Sequence, residues 1–180
     1  MKSKLLMLLV AIALITGCSK ESDHELFQKN NSEDVLGSRL DPGSGDGFCT
    51  QVDLMAGQHY DSGNVEVAIE GENLLITYVM EGDWILNATH LYVGDCATKP
   101  ANKPGNPLIG QFPFAATHAS GTTSYTYSIP LATLPNCICI AAHAEVNGPS
   151  GSETAWADGL PYGGNSWAMY FEFCLDQCGS

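Results

Sequence analysis

"NVEVAIEGENLLITYVM", residues 64–80, repeats with a period of two. Val65, Val67 and Ile69 alternate with Glu66, Ala68 and Glu70; Gly71-Glu72-Asn73 interrupts, and "LLITYVM" follows from residue 74. Successive side chains of a strand point to opposite faces, so this alternation gathers the aliphatic residues on one side and the carboxylates on the other. Two such runs around a glycine-bearing turn predict a β-hairpin.

The same period recurs along the chain. "WILNATHLYVGD" (84–95) is β-prone and ends at Gly94-Asp95. "SYTYSIPL" (124–131) puts Tyr125, Tyr127 and Ile129 on one face, with Pro130 marking an edge or strand end. "CICIAAHAEV" (137–146) gives Ile138, Ile140, Ala142, Ala144 and Val146 one face, and Cys137, Cys139, His143 and Glu145 the other. "WAMYFEF" (167–173) aligns Trp167, Met169, Phe171 and Phe173, so Trp167 is expected to begin a core face. Turn-rich stretches separate these runs, the longest being residues 98–107 and 147–166, and no segment carries a helical stripe. The expectation is an all-β fold, an antiparallel β-sandwich stabilised by disulfides, with a closed barrel as the alternative.

The chain has seven cysteines, an odd number. The N-terminus explains the odd one. Lys2 and Lys4 precede an apolar run, Leu5–Ile15, that is too short to span a bilayer, as a secretory signal requires. Ile15-Thr16-Gly17-Cys18 resembles the lipobox of bacterial lipoproteins. That resemblance implies cleavage before Cys18, diacylglycerol on its thiol, and membrane attachment through buried methylenes at roughly 0.8 kcal/mol each. Residues 1–17 then form the signal peptide, 18–47 the lipidated cysteine and a polar tether, and 48–180 the β-sandwich domain. A coil of about 28 residues reaches roughly 30 Å. Ser19-Lys20-Glu21, with Asp23 and Glu25, resembles the acidic export signal of surface lipoproteins in Bacteroidota-type bacteria. It implies an outer-membrane, cell-surface location.

The other six cysteines, Cys49, Cys96, Cys137, Cys139, Cys174 and Cys178, are expected to pair in an oxidising compartment. Cys137 and Cys139 sit two apart on one strand, about 6.5 Å or more, too far and wrongly oriented to bridge each other. A hairpin with Val146 opposite Trp167 would set Cys139 against Cys174 and leave Cys96–Cys137 and Cys49–Cys178. Local closure of Cys174 with Cys178 competes with it.

From Phe48 onward there are two lysines, Lys99 and Lys103, no arginine, and thirteen acids. Such a surface repels phosphate backbones and excludes nucleic acid as a partner. It could attract cations, Ca²⁺ included, although solubility is the plainer reading. No cofactor is expected, and the sequence leaves any metal undefined.

Two groups of residues could carry function. In "ETAWADGLPYGGNSW", Trp156 and Tyr162 lie among Asp158, Asn165 and glycines, as a sugar site would need: C–H faces stack on aromatic rings while hydroxyls meet amides and carboxylates. The second group is polar: His90, His143, Glu145 and Glu153. A histidine and a carboxylate two apart on a strand can hold a metal or form a base–orienter pair, and Glu145 with Glu153 could form a carboxylate pair. A histidine hydrogen-bonded within a β-layer accounts for the same residues more simply. No zinc, nucleophile-elbow or phosphate-loop motif is present.

"HLYVGD", "GNPLIGQFPF", "YTYSIPL", "CICIAAHAEV", "ETAWADG" and "GGNSWAMYFEF", in this order, resemble an uncharacterised family of secreted and surface-anchored β-rich domains, mostly bacterial, over roughly residues 48–178. The resemblance implies one exported β-domain and supplies no reaction. The expected role is non-enzymatic binding of a glycan or a surface protein by a lipid-anchored domain. A hydrolase using Glu145 and Glu153 or His143 is the enzyme alternative, and a purely structural surface protein the third.

Overall fold

The computed structural model describes residues 47–178. The expected signal peptide, lipidation site Cys18 and tether, as far as residue 46, lie outside the described residues. Ten strands follow: β1 (Thr50–Ala56), β2 (Tyr60–Glu70), β3 (Asn73–Met80), β4 (Ile85–Gly94), β5 (Phe114–Thr117), β6 (Ser124–Pro130), β7 (Cys137–Gly148), β8 (Gly151–Ala157), β9 (Leu160–Pro161) and β10 (Met169–Cys174). Among the described residues the only helical pieces are short 3₁₀ turns. The described residues are all-β, as the period of two predicts, and disulfide-bonded, as the six cysteines predict.

The expected hairpin is β2–β3, with Val65 opposite Tyr78 and Glu70 opposite Asn73. Gly71 takes a positive φ of 59° at the first central position, where a tight turn matching the strand twist favours glycine. One antiparallel path then runs β5-β4-β7-β8-β1-β2-β3-β6, with β10 also on β7.

The path nearly closes on itself. The β5–β6 connection spans the gap: His118 N–H donates to Asn87 O, Leu86 N–H to Thr122 O and Met80 N–H to Thr123 O, each at 2.8 Å. Inside, the rings of Phe114 and Tyr127 stand 5.9 Å apart. Thr89 Oγ1 lies 2.8 Å from both His118 Nε2 and Tyr127 Oη, lacing β4 to the two ends of the sheet. Facing walls of the curled sheet bury their inner side chains against one another across a common core. Leu54, Val67, Ile76, Leu91, Ile140 and Phe173 belong to it, each at most 1% exposed. Burial on that scale stabilises by about 1.5–3 kcal/mol per large side chain.

A second layer covers the outer face of β4, β7 and β8. The segments after β4 and around β9 fold over it, enclosing Tyr92, Phe112, Cys139, Ala141, Trp156 and Tyr162. Tyr162 Oη donates to Pro100 O at 2.9 Å, and Asn106 Oδ1 accepts from the backbone N–H of Asn165 and Ser166. These bonds tie the two long loops together.

Three disulfides join Cys49 to Cys178, Cys96 to Cys139, and Cys137 to Cys174. The first is the expected link between the ends of the domain. The other two exchange partners relative to the expected set. Val146 stands opposite Glu153 of β8, not Trp167, because β8 occupies the C-terminal half of β7. Only Cys137–Ile140 is left for β10, and the register of Phe171 on Ile140 brings Cys174 to Cys137. Cys139, opposite Gly94 at the end of β4, then meets Cys96.

Candidate functional site

A cleft of about 430 Å³ opens on the outer face where β1, β8 and the start of β10 meet; it is lined by Asp53, Met55, Gln58, Asp158, Trp167 and Met169. Each residue arrives there for a local reason. Asp53 and Met55 are the outward positions of β1, alternating with the fully buried Leu54 and Ala56. Asp158 follows β8 directly, and its N–H donates to Asp53 O at 2.8 Å, which sets the two acids side by side. Gln58 sits in the β1–β2 turn, closed by His59 N–H donating to Ala56 O at 3.1 Å. Gly57 and Gln58 have φ of 54° and 71°, and Gln58 is the only non-glycine residue in that region among the described residues. A left-handed conformation costs a residue with a side chain roughly 1–2 kcal/mol, so the turn holds Gln58 at the rim against its own preference. Trp167 and Met169 are half-buried: they lean on the second layer and leave part of their surface to the cleft.

The electrostatics of the cleft are one-sided. Burial raises the Asp53 carboxyl above its ordinary value, and the negative charges of Asp61, Asp158 and Glu81 push it the same way.

The sugar-site residues expected from the sequence divide. Asp158 lines the cleft. Asn165 is exposed in the loop and uses its backbone N–H on Asn106. Trp156 and Tyr162 are buried, 3% and 7% exposed. Trp156 is an outward residue of β8, packed edge-on against Phe112 at 6.3 Å and over His143 at 4.8 Å. Burial, with Tyr92 nearby, pushes the Tyr162 hydroxyl up to about 12, and that hydroxyl is spent on Pro100. Neither ring offers a free face. The aromatic that lines the cleft is Trp167, partly buried though expected in the core. Its apolar alternation with Met169, Phe171 and Phe173 is real, but β10 begins only at Met169, so Trp167 precedes the strand and stays at the surface.

The polar group divides as well. His90 and His143 are cross-strand partners, their rings 5.4 Å apart and their Nδ1 atoms at 3.4 Å. Burial, and then the neighbouring His90, lowers His143 to about 4, so it is neutral at physiological pH. Glu145 lies on the outer face opposite Thr154. Glu153 is in phase with the core residues Ala155 and Ala157 and faces Gly57 on the other side of the sheet. The two carboxylates do not converge. Among the described residues, one grouping of metal-type side chains comes within 4.8 Å, Cys96, Cys139 and Glu172, but both sulfurs are bound in the disulfide and offer no thiolate. The sequence reading missed the Thr89–His118–Tyr127 chain. Thr89 is fully buried and Tyr127 nearly so, while His118 is partly exposed, so the chain fastens the seam from the inside.

No family model, no curated protein and no solved structure matches the chain.

Proposed function

We propose that this is a non-enzymatic binding domain, held at the outer surface of an outer membrane through lipid on Cys18, and that its ligand is a glycan seated in the cleft beside Trp167. The observation that supports it is the composition of that cleft: a half-exposed indole and two methionines next to two carboxylates and an amide. A sugar ring presents an apolar C–H face and a hydroxyl rim, and needs both kinds of contact. A cleft of this volume falls in the range that holds small ligands. The hydrolase reading loses its groups, since Glu145 and Glu153 lie on opposite faces and His143 is buried.

The test is thermal unfolding of the full chain, purified in detergent, against a panel of oligosaccharides. A ligand at a hundred times its Kd adds about 2.7 kcal/mol and raises the midpoint by several degrees. The expected result is a sugar-specific rise that Trp167→Ala removes. A panel without any rise overturns the glycan reading and leaves a surface protein as the ligand to seek. Cys18→Ala is expected to release the protein from the membrane fraction, and retention there would sink the anchor.

A further inference from the structure

We infer that the glycan taken by this cleft carries free amines: a cationic sugar of the de-N-acetylated hexosamine class. The inference rests on the glycan reading above and adds charge to it. Asp53 of β1 and Asp158, the residue after β8, line the same cleft beside the apolar surface of Trp167, Met169 and Met55. The backbone bond from Asp158 N–H to Asp53 O holds the two like charges near each other, and the charge of Asp158 acts on Asp53. Asp61 and Glu81 add to the same field at Asp53. The domain has two lysines to set against it. One of them, Lys99, holds its ammonium 3.9 Å from the centre of the Tyr170 ring and donates to Cys96 O at 3.3 Å, which commits it elsewhere.

The arrangement therefore has an apolar aromatic surface and, beside it, a pair of carboxylates that no lysine among the described residues bridges. A protonated amino sugar complements both. Its C–H face lies on the indole, which also attracts a nearby cation. Its ammonium donates charge-assisted hydrogen bonds to the two carboxylates. A neutral N-acetylated sugar offers the same face but leaves the acids unpaired. A simple polycation offers the charge but no face.

The experiment titrates the full chain, in detergent at pH 6 and low salt, with glucosamine oligomers and with N-acetylglucosamine oligomers of equal length, following binding by calorimetry. Trilysine and Ca²⁺ serve as charge controls. The deacetylated oligomer is expected to bind at least tenfold more tightly than its acetylated counterpart and than trilysine. Asp53→Asn and Asp158→Asn should each weaken it several-fold, Trp167→Ala should weaken both oligomers, and Glu72→Gln, at the distant β2–β3 turn, should change nothing. Equal affinity for the two oligomers would overturn the inference and leave the glycan reading standing. So would tight binding of some other, neutral glycan with none of the amino sugar. Trilysine binding as tightly as the amino sugar would reduce the effect to charge and overturn the inference. A Ca²⁺-specific response lost in Asp53→Asn would overturn it in favour of a metal. No response to any glycan would remove the glycan reading together with it.

Discussion

His143 stands directly across the β4–β7 ladder from His90, the rings tilted by 47° and the two Nδ1 atoms 3.4 Å apart, with the Trp156 indole covering His143 from the β8 side. Two imidazoles at that distance cannot both be charged without strong repulsion, and His143 is only 3% exposed. The pair is stable only with His143 neutral, and the second layer is built on that condition.

A pH dependence follows, and its sign is fixed. In the unfolded chain His143 titrates near its ordinary value of 6.5; in the folded chain it is lowered to about 4. Between those values the unfolded state takes up a proton that the folded state refuses. The contribution is therefore fully present above pH 6.5 and is lost as pH falls toward 4, reaching about 3 kcal/mol. Urea unfolding midpoints measured at intervals between pH 7 and 4 should decline over this window. His143→Gln should flatten the decline relative to the parent chain, and parallel profiles for the two proteins would refute the account.

Gly148 ends β7 directly against the Trp84 ring, and a Cβ at Gly148 would collide with the indole. Trp84 is 7% exposed and lies tilted against Tyr60, ring centres 6.2 Å apart, so it closes that end of the core and has little room to move. Gly148→Ala is expected to destabilise by about 1–3 kcal/mol, the usual cost of overpacking. Denaturant unfolding would measure it, and an unchanged midpoint would mean that Trp84 yields freely.

The two tryptophans of the candidate site should respond in opposite ways. Trp156→Ala empties a buried position in the second layer and should cost about 3–5 kcal/mol. Trp167→Ala removes a half-exposed ring and should cost less than about 1.5 kcal/mol while abolishing the ligand-induced rise. Equal losses of stability would show that Trp167 is a packing residue after all.

Alternation identifies which residues share a face, and here it did so well: the core residues of β2, β6 and β7 fall on the faces predicted. It carries no information on which strand lies beside which. β8, "GSETAWA", has no β-branched run and reads as part of a loop; it becomes a strand because β7 and β1 supply its hydrogen bonds on either side. Once β8 is placed, Trp156 belongs to a strand and its burial follows. The cleft was legible only in part. Asp158 stood out as a polar residue in an aromatic loop, but Asp53 and Met55 lie about a hundred residues earlier, and only the β1–β8 pairing joins them to it.

The disulfide set is the sharpest case of the same limit. The expected register and the observed one differ by two residues, and a shift of two leaves every side chain on its own face. Hydrophobic patterning is blind to such a slip, while the cysteines are not: it decides whether Cys174 meets Cys139 or Cys137. Partial reduction with stepwise alkylation and mass mapping should recover Cys96–Cys139 and Cys137–Cys174, and the exchanged pair would overturn the β7–β10 register. The bond from Cys49 to Cys178 closes a sequence separation of 129 residues. In the chain-entropy picture such a loop stabilises by about 5 kcal/mol at most, and native disulfides commonly deliver 2–5. Replacing both cysteines by alanine should therefore lower unfolding stability by about 2–5 kcal/mol without altering the other two bonds. A loss near zero would mean that the ends of the domain are held by strand pairing alone.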